Sequence, residues 1–506
     1  MQLVNTNPLT TSRVKIPDVS AGSRSPRGAS PNIRGAFILA ILSVLLLIAV
    51  CPAQAQTESV LYNFTGGADG AGPQSKLTFN NGNLYGTTNS GGSGSGTVFE
   101  LSPNGSGGWS ETVLYNFCSV ASCTDGANPT YSYVIFDASG NLYGTAYAGG
   151  ANGYGVVFEL SPNGSSWTET VLYSFANSPD GANPVNGLIK DAAGNLYGTT
   201  YNGGGGGNGS VFELSPSGST WTEQVIYNMH SNYAGLVMDS AGDILGTNWQ
   251  AAFKLKPNGS GGWFPTVISS FPAGADPNGT LVLDSAGNAY GTTYAGGGNG
   301  NVYKLTPGTG KLWTRTILYS FSSTGPSHPL AGIVFDSAGN IYGTTTQGGV
   351  HHAGNVFELV SNGKGAYKFK TVQPFDGENG GQPTGSLILD SKGFIYGTGS
   401  GGGVDGNGVV FECNAYATVT TTTITAVPNP SIQGQLVTFT ATVTPAPPDG
   451  ETVIFEMIGD APLSGGKAVF QTSSLPVGYT KVRAIYFGDF NFLNSRSGWV
   501  YEHVEQ

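Results

Sequence analysis

Charged residues are scarce in this sequence. Asp, Glu, Lys and Arg make up 10% of its 506 residues, whereas an average soluble protein has about 25%. Acidic residues outnumber basic ones by 31 to 20, so the chain lacks the basic stripe that binding to nucleic acid requires. The four cysteines show no zinc-binding spacing, and G-x-S-x-G, P-loop and zinc-protease motifs are missing. The sequence therefore offers few groups for acid–base catalysis and predicts no cofactor, no bound metal and no nucleic-acid partner.

Glycine, in contrast, is abundant, with 80 residues, and part of it lies in a repeated motif. The motif NLYGTT, or a close variant, occurs seven times at intervals of 45 to 58 residues. Its tyrosine is found at Tyr85, Tyr143, Tyr197, Tyr290, Tyr342 and Tyr396, and Leu245 takes this place in the remaining copy. Repeats of about 40 to 50 residues are typical of propellers, solenoids and repeat arrays.

Each repeat contains four short segments rich in Val, Ile, Tyr, Phe and Thr, bounded by Gly, Asn, Ser and Pro. This pattern predicts four strands of about 5 to 8 residues each. The fourth kind of segment also precedes the first repeat, at Glu58, and the last repeat ends after its third segment. We therefore expect an all-β fold with a seven-bladed β-propeller over residues 56–414, closed by the N-terminal strand as the outer strand of the last blade.

The first 55 residues have the order of a secretory signal peptide. Basic residues precede an apolar run from Ala36 to Val50, and a small-residue cleavage site allows removal after Ala55. The apolar run is short for a membrane span, although the long basic leader leaves an uncleaved anchor open. We predict a secreted or cell-surface protein with no membrane span in the mature chain. Export also favours a disulfide between Cys118 and Cys123.

Residues 418–506 contain about seven further predicted strands, separated by turns in the manner of an antiparallel sandwich. The run from Ser473 to Gly478, the run from Val482 to Asp489, and Phe492 together resemble the bacterial Ig-like repeats of surface and secreted proteins. This resemblance implies an Ig-like β-sandwich that acts as a spacer, a stalk or an adhesive unit.

The repeated motif resembles a known family as well. Asp-Ser-Ala-Gly-Asn-x-Tyr-Gly-Thr-Thr, a Gly-Gly loop and Gly-x-Val-Phe-Glu-Leu are similar to the GloVer tandem repeats of exported bacterial proteins named for a choice of C-terminal anchors. The similarity covers all seven units, with Leu245 as the main departure. It implies export, but it brings no established activity.

In a propeller, the glycine-rich loops and the loops between blades emerge on one face. These loops carry a candidate ligand site made of Asp125, Asn128, Asp180, Asn183, Asp276 and Asn278. Carboxylate and amide oxygens could bind sugar hydroxyls or a cation such as calcium. Asp-Gly and Asn-Pro also form turns, so a structural role is the alternative. The Asp-x-x-Gly-Asn motifs on the opposite face are assigned to turns.

A set of five tryptophans marks the start of the fourth segment in most repeats. They are Trp109, Trp167, Trp221, Trp263 and Trp313. The pattern predicts either an aromatic platform for sugar rings or cross-strand packing against the third strand of the same blade.

Taken together, these features favour a monomeric, non-catalytic, exported protein that binds or adheres to a glycan or to an extracellular protein. One alternative is a polysaccharide lyase or glycosidase at the channel mouth, which requires ionisable groups such as Asp125, Asp180 and Asp276 to converge. The other alternative is a purely structural surface protein.

Overall fold

The computed structural model describes residues 58–105, 108–230, 233–349, 351–416, 418, 420–488, 492 and 495–506. The predicted signal peptide and its cleavage site lie outside these residues. The described chain is built from strands and turns, with two short 3₁₀ turns at Ala121–Cys123 and Gly296–Gly298 and no α-helix. The all-β prediction is therefore confirmed.

Seven antiparallel sheets occupy residues 58 to 414 and are numbered here in chain order. Within each sheet, every strand pairs with the next one given below, except in sheet 1, where the first two strands both pair with Asn83–Ser90. Their strands are Ala71–Pro73, Thr78–Asn80, Asn83–Ser90, Thr97–Pro103 and Trp109–Asn116 in sheet 1; Ile135–Phe136, Leu142–Ala146, Val156–Asn163 and Ser166–Ser174 in sheet 2; Ala182–Lys190, Leu196–Asn202, Ser210–Ser217 and Thr220–Asn228 in sheet 3; Val237–Met238, Ile244–Asn248, Ala251–Pro257 and Trp263–Ser270 in sheet 4; Ala289–Thr293, Asn301–Thr306 and Thr314–Ser320, preceded by Val282–Leu283, in sheet 5; Val334–Phe335, Ile341–Thr345, Asn355–Ser361 and Tyr367–Pro374 in sheet 6; and Ile388–Leu389, Phe394–Gly399, Val409–Asn414 and Glu58–Asn63 in sheet 7.

Sheet 7 joins the two ends of the repeat region. The N-terminal strand Glu58–Asn63 pairs antiparallel with Val409–Asn414. The backbone N–H of Phe64 extends this pairing by donating to the carbonyl of Gly408 at 3.0 Å. Val409–Asn414 is therefore not left as an open sheet edge, which would be a template for association with another chain.

The glycine of the NLYGTT motif makes room for an aromatic ring. In sheet 3, Gly198 is the cross-strand partner of Phe212, and a Cβ on Gly198 would lie only 2.5 Å from Cζ of that ring. The same contact recurs, at 2.5 to 2.7 Å, in the pairs Gly86–Phe99, Gly144–Phe158, Gly246–Phe253, Gly291–Tyr303, Gly343–Phe357 and Gly397–Phe411. Any side chain at these glycines would displace a buried ring.

The first threonine of the motif connects each sheet to the next. Its Oγ1 donates to a backbone carbonyl at the start of the following sheet, for example from Thr145 to Asn186 at 2.9 Å. The other such bonds run from Thr87 to Ser132, Thr199 to Ala234, Thr247 to Pro277, Thr292 to Ala331 and Thr398 to Ser75. The last of these leads from sheet 7 back to sheet 1. In sheet 6, Thr344 Oγ1 is buried without a hydrogen-bond partner among the described residues.

Apolar side chains fill the joints between neighbouring sheets. Each of seven buried clusters contains the motif tyrosine, or Leu245, of one sheet and the aromatic ring that covers the motif glycine of the next. The cluster with Tyr396 and Phe99 joins sheet 7 to sheet 1. A four-stranded sheet cannot form a core alone, so each sheet buries its apolar surface against two neighbours.

The Asp-x-x-Gly-Asn motifs form self-contained turns. In sheet 3, Asp191 Oδ1 accepts hydrogen bonds from the backbone N–H groups of Ala193 and Asn195, both at 2.9 Å. Its Oδ2 accepts from the Asn195 side chain at 2.8 Å and from the Tyr197 hydroxyl at 2.9 Å. The carboxylate is thus fully engaged within the turn, and the tyrosine of the motif anchors it.

Sheet 4 departs from this arrangement because Asp243 and Leu245 stand in the places of the asparagine and the tyrosine. Lys254 replaces their donors: its Nζ lies 3.1 Å from Asp239 and 2.6 Å from Asp243. Lys254, on the next strand, therefore replaces the hydrogen bonds that the asparagine amide and the tyrosine hydroxyl donate in sheet 3. This replacement explains why the repeat tolerates Leu245.

Six of the seven first strands are shorter than the predicted 5 to 8 residues: five have two residues and Ala71–Pro73 has three, whereas Ala182–Lys190 has nine. The residues before these strands serve another purpose. Their carbonyls accept the threonine hydrogen bonds from the preceding sheet, as at Ala331 and Ser132, so they do not extend the pairing within their own sheet.

The C-terminal region forms a second apolar core around Phe439, Phe455 and Tyr486. A nearly closed seven-stranded sheet contains Thr421–Val427, Val437–Thr444, Lys467–Thr472, Gly459–Ser464, Thr452–Phe455, Ala484–Tyr486 and Ser495–Arg496, and a three-stranded sheet contains Ser431–Ile432, Val500–Glu505 and Gly478–Val482. Gly459–Ser464 is a strand of the seven-stranded sheet although its glycine, aspartate and proline disfavour strands. Ala461 and Leu463 nevertheless face the core.

We predict that Gly198→Ala destabilises the protein by about 1–3 kcal/mol, because the new methyl group would overlap the buried Phe212 ring. The control is Gly206→Ala, where a Cβ would meet no atom within 4 Å. The urea midpoint of unfolding should fall for Gly198→Ala and stay unchanged for the control. Equal midpoints for both variants would show that the glycine–ring contact does not limit stability.

Candidate functional site

A cavity of ≈ 460 Å³ lies where the first segments of all seven sheets meet. The side chains around it include one or more from each sheet: Lys76, Tyr133, Asn186, Tyr233, Asn278, Leu330 and Ser386. Because each first segment runs inward from the loop between two sheets, its earlier residues lie nearer the loop face and its later residues lie deeper.

Two large side chains occupy the deeper part of the cavity. Lys76 and Tyr133 stand directly before the buried Leu77 and Val134, at a position that is glycine in sheets 3, 4 and 6. The Tyr133 ring rests on Gly187, where a Cβ would lie 2.4 Å from it. Lys76 Nζ is 5.7 Å from the centre of the same ring. Gly187 of the neighbouring sheet therefore creates the space into which Tyr133 extends.

Tyrosines also form one wall of the cavity near the loop face. The ring centres of Tyr131 and Tyr233 are 5.0 Å apart, and Tyr201 stacks on Tyr233 at 5.1 Å. Burial raises the pKa of Tyr133 and of Tyr233 to about 12. Their hydroxyls are consequently neutral near pH 7 and can both donate and accept hydrogen bonds.

Several polar groups of the cavity have no partner in the described part of the chain. Lys76 forms no ion pair there, and it is the only charged side chain that lines the cavity. Burial lowers the pKa of Lys76, although its side chain is open to the cavity itself. Gln74 Oε1 is buried without a hydrogen bond, and no described group bonds to the side chain of Asn278. The cavity thus offers a cation, an acceptor and an amide to a ligand.

The structure places the other predicted acidic residues elsewhere. Asp125 is 2% exposed and lies between sheets, where its Oδ2 accepts hydrogen bonds from the Tyr115 hydroxyl at 2.8 Å and the Ser119 backbone at 2.9 Å. Asp180 repeats this arrangement with the Tyr173 hydroxyl at 2.7 Å. Asp125 and Asp180 therefore do not converge at the cavity, and each is held within its own loop.

Asn128, Asn183 and Asp276 share a different position from Asp125 and Asp180. Each has a positive φ, between 49° and 57°, and each precedes a proline. The Asn128 and Asn183 side chains donate to the carbonyls of Asn89 and Tyr147, which ties the inter-sheet loop to the preceding strand end. Of the six predicted residues, only Asn278 lines the cavity.

Three glutamates face the inter-sheet aspartates across the joints. They are Glu111 opposite Asp69, Glu169 opposite Asp125 and Glu223 opposite Asp180. Burial, followed by the charge of the facing aspartate, raises the pKa of each glutamate to about 7. In two of these pairs, a buried oxygen of each carboxyl lacks a hydrogen-bond partner among the described residues. A proton shared between the two carboxyls would satisfy both oxygens.

Four of the five tryptophans pack against the motif tyrosine of the preceding sheet, and Trp313 packs against Leu245 in the same way. Trp263 illustrates the contact: its ring meets Tyr197 edge-on at 5.7 Å, and its Nε1 donates to Glu213 at 3.1 Å. All five rings are half-buried in these joints. This placement favours the packing role, and it extends that role from the tryptophan's own sheet to the neighbouring one.

Cys118 and Cys123 are joined in a disulfide in the loop between sheets 1 and 2, and Cys413 is buried in the joint between sheets 6 and 7. No group of three or more His, Cys, Asp or Glu side chains suited to a metal ion occurs among the described residues.

The cyclic succession of four-stranded sheets followed by a compact C-terminal β-module defines an all-β repeat protein with propeller-like sheets. The chain belongs to the Gloeobacter/Verrucomicrobia repeat family, which it matches over residues 106–261 and 232–440. Residues 424–505 match the bacterial Ig-like domain of group 3. Both resemblances drawn from the sequence motifs are thereby confirmed.

Similar solved structures are distant. The extracellular domain of the one component system BT4673 from B. thetaiotaomicron is 13% identical, with 89% of this chain and 59% of that chain covered and a TM-score of 0.48. A catalytically inactive virginiamycin B lyase from Staphylococcus aureus is 15% identical over 70% of this chain and 98% of that one, with a TM-score of 0.46. An ulvan lyase from a new polysaccharide lyase family is 12% identical over 72% and 95%, with a TM-score of 0.44. No curated protein matches the chain.

We predict that the protein loses stability as the pH rises from about 4.5 to 7. The raised pKa values of Glu111, Glu169 and Glu223 mean that the folded state holds protons which the unfolded state has released, so this stabilisation is present below pH 4.5 and is lost through pH 7. Glu169→Gln should remove part of this dependence and raise stability at pH 8 by about 1 kcal/mol, because an amide can donate to Asp125.

The measurement is urea unfolding at pH 5 and pH 8. Exposed Glu378 provides the matched control, and Glu378→Gln should leave the pH dependence unchanged. If Glu169→Gln is less stable than the parent at pH 8, the charges of Glu169 and Asp125 do not destabilise the folded state.

Proposed function

We propose that this chain is an exported binding protein whose central cavity holds part of a carbohydrate. In this proposal, residues 56–414 form a seven-bladed β-propeller, and residues 418–506 form an Ig-like module that spaces the propeller from its anchoring surface. The observation that carries the proposal is the cavity, where unpartnered polar groups lie beside clustered tyrosines.

Three features support a ring of seven blades. The apolar joints run from each sheet to the next and return from sheet 7 to sheet 1 through Tyr396 and Phe99. The bond from Thr398 to Ser75 closes the circle of threonine contacts. The N-terminal strand completes the last sheet. Closure of this kind is the usual way in which propellers protect their edges.

The chemistry of the cavity suits a sugar. Aromatic rings stack on the apolar faces of pyranose rings, and amides and hydroxyls bond to their polar edges. Tyr131, Tyr133 and Tyr233 provide the rings, and Gln74 and Asn278 provide side-chain amides that bond to no other described residue. The cavity of ≈ 460 Å³ has the size range of small-ligand sites, roughly 300–1,000 Å³, and would admit a short stretch of a glycan chain.

Export is supported by the leader and by the disulfide. The order of basic, apolar and small residues before Gln56 predicts a signal peptide cleaved after Ala55. The Cys118–Cys123 bond is of a kind that persists in oxidising compartments. Among the residues that the structure describes, no helix has the length and apolar character needed to cross a membrane.

An enzymatic role and a purely structural role are less well supported. A lyase or glycosidase acting through Asp125 and Asp180 requires a convergence that these two residues do not form, since each bonds within its own loop. A purely structural role would leave the unpartnered cavity groups without a purpose. We propose a monomer that requires no cofactor, with calcium as a cation to be tested alongside glycans.

We predict that the protein, produced in a secreting host, binds oligosaccharides and that Tyr131→Asn combined with Tyr233→Ala weakens binding at least tenfold. An aromatic contact contributes roughly 0.5–1.5 kcal/mol beyond the area it buries, so two lost rings give this factor. Asparagine is chosen at position 131 because the backbone there has a φ of 56°, which asparagine tolerates. Binding is measured by glycan array and then by calorimetry with the strongest hit, with and without calcium.

The matched control is Tyr154→Ala, since Tyr154 is exposed in a glycine-rich loop and does not line the cavity. Its affinity should equal that of the parent. If binding survives loss of Tyr131 and Tyr233 but falls in Trp109→Ala or Trp167→Ala, the site lies on the outer tryptophans. Release of shortened sugars during the experiment would favour the enzyme.

A further inference from the structure

We propose that the ligand of the cavity is an anionic glycan, whose carboxylate or sulfate group is bound by Lys76 with Gln74 beside it. This inference rests on the proposed function and adds the charge of the ligand. It is carried by the position of one lysine that the repeat does not require.

Lys76 occupies a place where the fold favours small side chains. The equivalent position is glycine in sheets 3, 4 and 6, and threonine or serine in sheets 5 and 7. Gly187 accommodates the Tyr133 ring, and Gly332 packs near Ser386. Neighbouring first segments therefore pack against each other at this position with small side chains. The Lys76 side chain is therefore not needed to hold neighbouring sheets together, and it takes part in none of the apolar joints described above.

The Lys76 ammonium group also lacks a carboxylate partner among the described residues. Lys254 and Lys370, the lysines in salt bridges among the described residues, both contact carboxylates within about 3 Å. Within the described part of the chain, Lys76 has only the face of Tyr133, at 5.7 Å from the ring centre. Its side chain is open to the cavity, so its charge is available to a ligand that brings the missing counter-charge.

Gln74 lines the same part of the cavity as Lys76. It lies two residues before Lys76, so the two side chains leave an extended segment on the same side, and both line the cavity. Its buried Oε1 has no hydrogen-bond partner in the described chain. A sugar whose anionic group is held by the lysine has hydroxyl groups on adjacent carbons, and such a hydroxyl can bond to the Gln74 amide. The burial that lowers the pKa of Lys76 strengthens any charge pair formed there.

The test uses three probes that share one sugar framework: trigalacturonate, its fully methyl-esterified form and a 6-sulfated galactose trisaccharide. Calorimetry compares the parent with Lys76→Met, which keeps the length of the side chain and removes its charge. We expect the acid or the sulfate to bind at least tenfold more tightly than the ester. Lys76→Met should abolish that preference while leaving the ester unchanged, and Lys76→Arg should retain most of it.

Salt provides an independent readout. Raising sodium chloride from 50 to 500 mM should weaken binding of the anionic probe to the parent, but not to Lys76→Met. The control is Lys304→Met, because Lys304 lies over Tyr290 and outside the cavity. It should leave every affinity unchanged.

The melting temperature without ligand separates a binding role from a structural one. Lys76→Met should melt at the same temperature as the parent, because Lys76 is exposed to the cavity and forms no ion pair with the described residues. Equal binding of acid and ester, or loss of ester binding in Lys76→Met together with a lower melting temperature, would overturn the inference while the glycan-binding function stands. No binding of any probe to the parent would overturn both.

Discussion

Each sheet of the repeat region can bury its apolar surface only against the next sheet, and this constraint governs the rest of the structure. Three motif residues have separate roles. The tyrosine fills the joint, the glycine leaves space for the aromatic ring of the neighbouring strand, and the threonine donates a hydrogen bond to a carbonyl across the joint. At Tyr197, Gly198 and Thr199 all three roles fall on consecutive residues. Because the sheets are held by their joints, the loops and the first segments are free to vary.

That freedom determines where a site can form. The first segments meet at the centre, and the joints place few demands on side chains that point inward. Sheets 3, 4 and 6 leave glycine at the level where sheets 1 and 2 place Lys76 and Tyr133. At this level the cavity carries large side chains from sheets 1 and 2 and small residues from the other five sheets, although the sheets themselves repeat.

The sequence predicts strands, turns and closure well, because these depend on residues that recur in every repeat. It predicts the site poorly, because the site is built from the residues that do not recur. Asp125 and Asp180 stand out by repetition, yet repetition here reflects inter-sheet packing, with partners such as Glu169 from a neighbouring repeat that no local motif reveals. Lys76 and Tyr131 could have been found by aligning the repeats and asking where a large or charged residue replaces a small one. The same comparison pairs Leu245 with Lys254, whose compensation only the coordinates make visible.

The shared sheet formed by Glu58–Asn63 and Val409–Asn414 has a consequence for the order of assembly. The strand that leaves the ribosome first belongs beside one of the last strands of the repeat region to be synthesised, so it must wait while every intervening sheet is made. Contacts this distant along the chain slow folding, since the loop entropy is lost before the contact is gained. A chain that cannot complete this sheet early stays unfolded longer, and the export that we propose would require an unfolded chain during translocation.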